Sequence, residues 1–115
     1  MREIAERLDL QCLTPDVDLD GLPEPAGGHV SDLLSDVLAN APPGGVLVTI
    51  QVHMNVIAVA SHRGLAAVVF AAGRQPDEPL RAKAAEEGIA LFVSARPAFD
   101  VVGELYALGL RGNEE

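Results

Sequence analysis

Three successive units constrain this chain more than any other feature. Each unit runs from an apolar stretch through a short polar loop to a helical segment and then a glycine. Val46–Ile50 is followed by a helix from Met54 or Asn55 to Arg63, closing at Gly64. Leu65–Phe70 leads to a helix at about Glu78–Glu87, closing at Gly88. Ile89–Val93 leads to a helix at about Ala98–Leu108, closing at Gly109. The apolar runs are continuous and rich in Val, Leu and Ala, as strands covered on both faces must be. Strand–helix–strand order with short loops predicts parallel strands joined by right-handed crossovers. The expected fold is α/β, a three-layer α/β/α sandwich around a largely parallel sheet. Val56–Ala60 has the composition of a strand but reads as helix, because two successive parallel strands need a crossover between them.

Upstream, Met1–Leu8 reads as a short amphipathic helix, and Gln11–Thr14 as a short strand. Pro15–Gly28, with three prolines and a terminal Gly27-Gly28, reads as a loop. Val30, Leu33, Leu34, Val37, Leu38 and Ala41 recur at helical spacing, so a helix capped by Ser31 is expected there. Pro42-Pro43-Gly44-Gly45 ends it. The 115 residues fit one domain, 1–110, with a polar tail at 111–115 expected to fray.

Composition narrows the function. The net charge is −9, and the eight Lys and Arg are scattered, so no basic footprint for nucleic acid is present. Aromatic residues make up 3% of the chain, too few for a base-stacking platform. No apolar run approaches the ~20 residues of a membrane span, and no signal peptide is visible, so a cytoplasmic protein is expected. The single cysteine, Cys12, lies between Leu10 and Leu13 and is expected to be buried.

No catalytic constellation is legible. A Walker-type phosphate loop is absent, and the only lysine, Lys83, falls within a helix. His29, His53 and His62 lack the i, i+4 spacing of a helical zinc site, so no metal is expected. Ser94 follows a strand but lacks the flanking glycines of a nucleophile elbow. No cofactor is implied. In open parallel sheets ligands gather at the carboxyl ends of the strands. Here those ends bring together His53, Gly73, Arg74, Ser94 and Arg96, which are the candidate ligand-binding residues for a nucleotide or phosphate. The competing reading is that Gly73 only makes a turn and the arginines pair with surplus acids.

The segments Gly27–Ala41, Ile57–Ser61 and Gly73–Asp77 together resemble stand-alone DRTGG-domain proteins, which are related to the N-terminal domain of HPr kinase/phosphorylase. The resemblance covers about Met1–Leu110. It implies a three-layer α/β/α fold and a non-catalytic regulatory module that forms homodimers. It also implies a possible adenine nucleotide ligand and a protein partner in redox or energy metabolism. Only Gly27-Gly28 survives of the motif that names the family. With no phosphate loop, a serine-kinase label has no support in the residues.

Overall fold

The structure, a computed structural model, describes residues 1–25 and 27–113. The elements in chain order are α1 (Arg2–Arg7), β1 (Gln11–Cys12), β2 (Gly28–Val30), α2 (Leu34–Asn40), β3 (Val46–Thr49), α3 (Asn55–Arg63), β4 (Ala67–Phe70), α4 (Glu78–Glu86), β5 (Ala90–Val93) and α5 (Ala98–Ala107), with one 3₁₀ turn at Leu19–Gly21. The sheet order is β1-β5-β4-β3-β2. Strands β2 to β5 are parallel, and β1 adds antiparallel to β5. The three strand–helix–glycine units stand as expected, and Val56–Ala60 is helical. At the end of α3, Gly64 takes φ 67°, a left-handed conformation that lets the chain leave the helix into β4.

Alternation within the continuous apolar runs builds two cores. Leu47, Val68, Phe70, Leu91 and Val93 face one side, packed with Val37 of α2, Val56 and Ile57 of α3, and Leu80 of α4. Val46, Val48, Val69 and Phe92 face the other, packed with Ile4 and Leu8 around α1 and with Val101 and Leu105 of α5. Helices therefore cover both faces, three on one and two on the other.

Three expectations need correction. The helix predicted from Val30 begins only at Leu34; Gly28–Val30 is strand β2, in register with Val46–Val48. Its apolar stripe is split accordingly: Val37 and Ala41 are buried, whereas Val30, Leu33 and Leu38 are exposed. Ser31 does not cap the helix and instead accepts a bond from Leu33 N–H at 3.1 Å. Cys12 is exposed, because β1 is two residues long and lies at the sheet edge. Arg111, assigned to the frayed tail, is fixed: its carbonyl accepts from Gly28 N–H at 2.9 Å, joining the end of the chain to β2. The rest of that tail reaches residues 114–115, which lie outside the described residues.

Candidate functional site

The loops after β2, β3 and β4 lead to α2, α3 and α4 on one face of the sheet, whereas the loop after β5 leads to α5 on the other. The chain therefore diverges between the carboxyl ends of β4 and β5, the place where open α/β sheets form a crevice. Gly73, Arg74, Ser94 and Arg96 all sit there. The crevice is closed by backbone. Ala72 N–H donates to Arg96 O at 2.7 Å and Gly73 N–H to Ser94 O at 2.8 Å. Arg74 N–H returns to Ala71 O at 3.1 Å, and Ala72 (φ 56°) and Gly73 (φ 68°) are both left-handed, forming a tight turn. Glycine takes that conformation freely, while alanine is strained in it. Ser94 is buried, its Oγ accepting from Arg96 N–H at 3.1 Å. The Arg96 guanidinium is paired with Glu104. The Arg74 side chain is exposed, and its guanidinium has no hydrogen-bond or ion-pair partner among the described residues.

His53 lies one strand away, exposed, and no hydrogen bond joins it to the other four. Its Nδ1 accepts from Asn55 N–H at 3.1 Å, satisfying a free amide in the first turn of α3, and its own N–H donates to Gln51 Oε1 at 3.2 Å. His62 is on the exposed last turn of α3. No group of three or more metal-ligating side chains comes together among the described residues.

Two polar clusters escaped the sequence reading. Buried Thr49 donates its hydroxyl to Asp32 Oδ1 at 2.7 Å, and Ile50 N–H reaches the same oxygen at 2.8 Å, tying the ends of β2 and β3. His29 Nε2 lies 2.8 Å from Asp36 Oδ2, linking β2 to α2. The amide of Asn40 at 2.8 Å, with His29 and Ser31 behind it, holds the Asp36 carboxyl at about 2, below its usual 3.8. On a helix running from Val30, Asp32 and Asp36 would fall off the apolar face. Only the strand at Gly28–Val30 turns them toward these partners.

A second feature lies on the other face. Strand β2 is the sheet edge, and α5 leaves its flank uncovered. Between them runs an apolar groove of about 280 Å³, lined by Gly28, Val30, Val102, Tyr106, Leu110 and Arg111. It continues along α5 past Ala98, Phe99 and Gly103. In register with β3, the backbone of Gly27 and Ser31 bonds inward to Val46 and Val48, so Val30 N–H and C=O point to the open edge. Phe99 is 88% exposed, Tyr106 58% and Val30 49%. Tyr106 is held in place, because the Arg111 guanidinium stacks 3.7 Å over its ring and donates to the carbonyls of Tyr106 and Leu110. Gly27 fits only because it has no side chain: a Cβ there would lie 2.9 Å from the Arg111 carbonyl oxygen.

No protein-family model matches the chain, and no curated protein matches it. Among solved structures, the fold is similar to the CBS and DRTGG domains of the regulatory region of Clostridium perfringens pyrophosphatase, solved with its activator diadenosine tetraphosphate. The TM-score is 0.75 at 12% identity, over 96% of this chain and 46% of that one. This chain thus spans about half the length of that regulatory region. The likeness is one of architecture and supports a DRTGG-like fold. No helix among the described residues is long and apolar enough to cross a membrane.

Proposed function

We propose that this chain is a non-catalytic regulatory module that works by protein–protein contact and associates with itself. The observation that carries this reading is the uncovered apolar face of β2 and α5, where Phe99, Tyr106 and Val30 meet solvent in a chain with only four aromatic residues. Apolar faces of this kind mark interaction sites. The regulatory role is supported by the DRTGG-like fold, since the similar solved structure is a regulatory region. The relation to HPr kinase, a partner in redox or energy metabolism and a cytoplasmic location rest on the sequence resemblance alone. Sedimentation equilibrium over micromolar to millimolar concentrations tests self-association. A reversible dimer is expected, and a monomer throughout would overturn it.

A second reading is a small-ligand sensor that takes an adenine nucleotide or phosphate at the strand ends. Two observations favour it: unpaired Arg74 stands at the divergence of the β4 and β5 loops, and the similar structure was solved with diadenosine tetraphosphate. The Ala72 and Gly73 amides are already bonded to β5, so ligand contacts would fall to Arg74, to Arg96 released from Glu104, and to His53 at the rim. Ser94, buried beneath, would position Arg96. Calorimetric titration with diadenosine tetraphosphate and ATP tests this reading. Binding that is lost in Arg74→Ala supports the crevice; equal affinity in Arg74→Ala and Arg96→Ala removes it.

A further inference from the structure

The uncovered face is shaped for one particular partner, and we infer that a second copy of this chain docks on it, helix α5 against helix α5, antiparallel about a two-fold axis that passes beside Gly103. This rests on the self-association reading above and adds its interface. The spacing along α5 is self-complementary. Phe99 lies one turn before Gly103 and Tyr106 one turn after it, on the same outward side of the helix. Antiparallel pairing centred between Val102 and Gly103 sets Phe99 of each copy opposite Tyr106 of the other. An isologous contact requires that reciprocity.

Gly103 explains the crossing. A glycine inside a helix weakens it, and a Cβ at Gly103 would meet nothing within 4 Å in this chain. The missing side chain serves no packing need of the monomer. It leaves a notch where two helix axes can approach closely, and Val102 of the second copy fills it. Tyr106 is ready to receive a partner because Arg111 already clamps one face of its ring. Little side-chain freedom remains to be lost on binding, which favours aromatic anchors.

Charge points to the same occupant. Each copy carries −9, so two copies repel over most of their surface. No Asp or Glu lines the groove, and its one charged residue is Arg111. On the far flank of α5, Arg96 and Glu104 neutralise each other. The other acid on that flank, exposed Asp100, borders Phe99 and Gly103, so the acids of two copies stand at the rim of the contact and outside the groove. Area sets the size class of the contact. Aromatic side chains bury about 150–250 Å² each, so Phe99 and Tyr106 with Val30 and Val102 offer on the order of 500 Å² per copy. The pair then reaches about 1,000 Å², the lower bound for a specific interface, where weak and reversible association is the rule.

Sedimentation velocity on the full chain, with three variants, decides the matter. Phe99→Glu alters an exposed side chain and should raise the dimer dissociation constant at least tenfold. Gly103→Leu should do the same while leaving the thermal midpoint of the dilute monomer unchanged or higher, because the monomer has room for the side chain. In a Cys12→Ser background, Gly103→Cys should oxidise to an intermolecular disulfide, whereas Ala82→Cys on exposed α4 should not. A parent chain that stays monomeric sinks the self-association reading and this interface with it. A parent dimer that Phe99→Glu and Gly103→Leu leave intact overturns the α5 interface alone.

Discussion

The two faces of the sheet are built from the same strands yet finished differently. On one face, α2, α3 and α4 cover β2 to β5, and the outward residues of those helices are small, polar or charged except Leu38, an isolated apolar side chain 41% exposed. On the other, α1 and α5 share the cover; α5 lies over β3 and the inner side of β2 and leaves the outer flank of β2 open, with Phe99 and Tyr106 outside. The contrast shows that burial within each strand is settled by alternation, whereas completeness of a layer depends on how many helices reach it. Three crossovers return to one face because β2, β3, β4 and β5 are spatial neighbours in chain order. The other face is left to α1 and α5.

Two phenylalanines give the largest test of that contrast. Phe70 is fully buried under α3 and α4, and Phe70→Ala should cost about 3–5 kcal/mol in urea unfolding. Phe99→Ala should change monomer stability by less than about 0.5 kcal/mol. Equal losses at the two sites would mean that the α5 face is packed in solution. Two glycines give the next. A Cβ at Gly45 would lie 2.8 Å from the Gly27 carbonyl oxygen and 2.9 Å from that of Pro42, so Gly45→Ala should cost about 1–3 kcal/mol. Gly103→Ala should stabilise the dilute monomer by about 0.5–1 kcal/mol. Loss at both positions would place Gly103 in a packed contact of the monomer.

The crevice offers a smaller effect of the same kind. Ala72 is left-handed at φ 56°, and relieving it with Ala72→Gly should stabilise the fold by about 1 kcal/mol by thermal melting. The smallest effect concerns acid. The Asp36 carboxyl titrates at about 2 in the folded chain against 3.8 ordinarily, so the unfolded chain binds its proton first as pH falls. The stabilisation is present in full above the ordinary value and fades as pH drops from about 4 to about 2. Asp36→Asn should flatten the urea midpoint over that window relative to the parent. An unchanged slope would mean that the His29–Asp36–Asn40 cluster does not hold α2 to β2.

Legibility in the sequence followed the strength of local signals. From Val46 onward each element was readable, because four-residue apolar runs, helical periodicity and terminal glycines agree with one another. Strand β2 was not. Val30, Leu33, Leu34 and Val37 obey the helical period, and a three-residue strand is too short for its own period of two to compete. That single slip concealed the Asp32–Thr49 tie and the His29–Asp36 pair, since both depend on where the chain turns after Val30. Cys12 followed the general burial of free cysteines, but a two-residue edge strand exposes it. Of the proposed ligand residues, Gly73, Arg74, Ser94 and Arg96 lie together at the ends of β4 and β5, where backbone hydrogen bonds close the space between them. Their hydrogen bonds to one another are tertiary facts. The sequence also held Phe99, Gly103 and Tyr106 at helical spacing, but nothing local distinguishes an outward stripe from a buried one.

By itself the sequence determined the layer order, the parallel strands, the apolar core and the lack of a phosphate loop. These depend on residue type and spacing along the chain, and such information is local. The tertiary structure alone decided which face α5 takes, that Ala72 and Gly73 spend their amides on β5, and that β2 keeps an open flank beside two exposed aromatics. Those outcomes depend on residues distant in the chain competing for the same surface, and no window of sequence contains that competition.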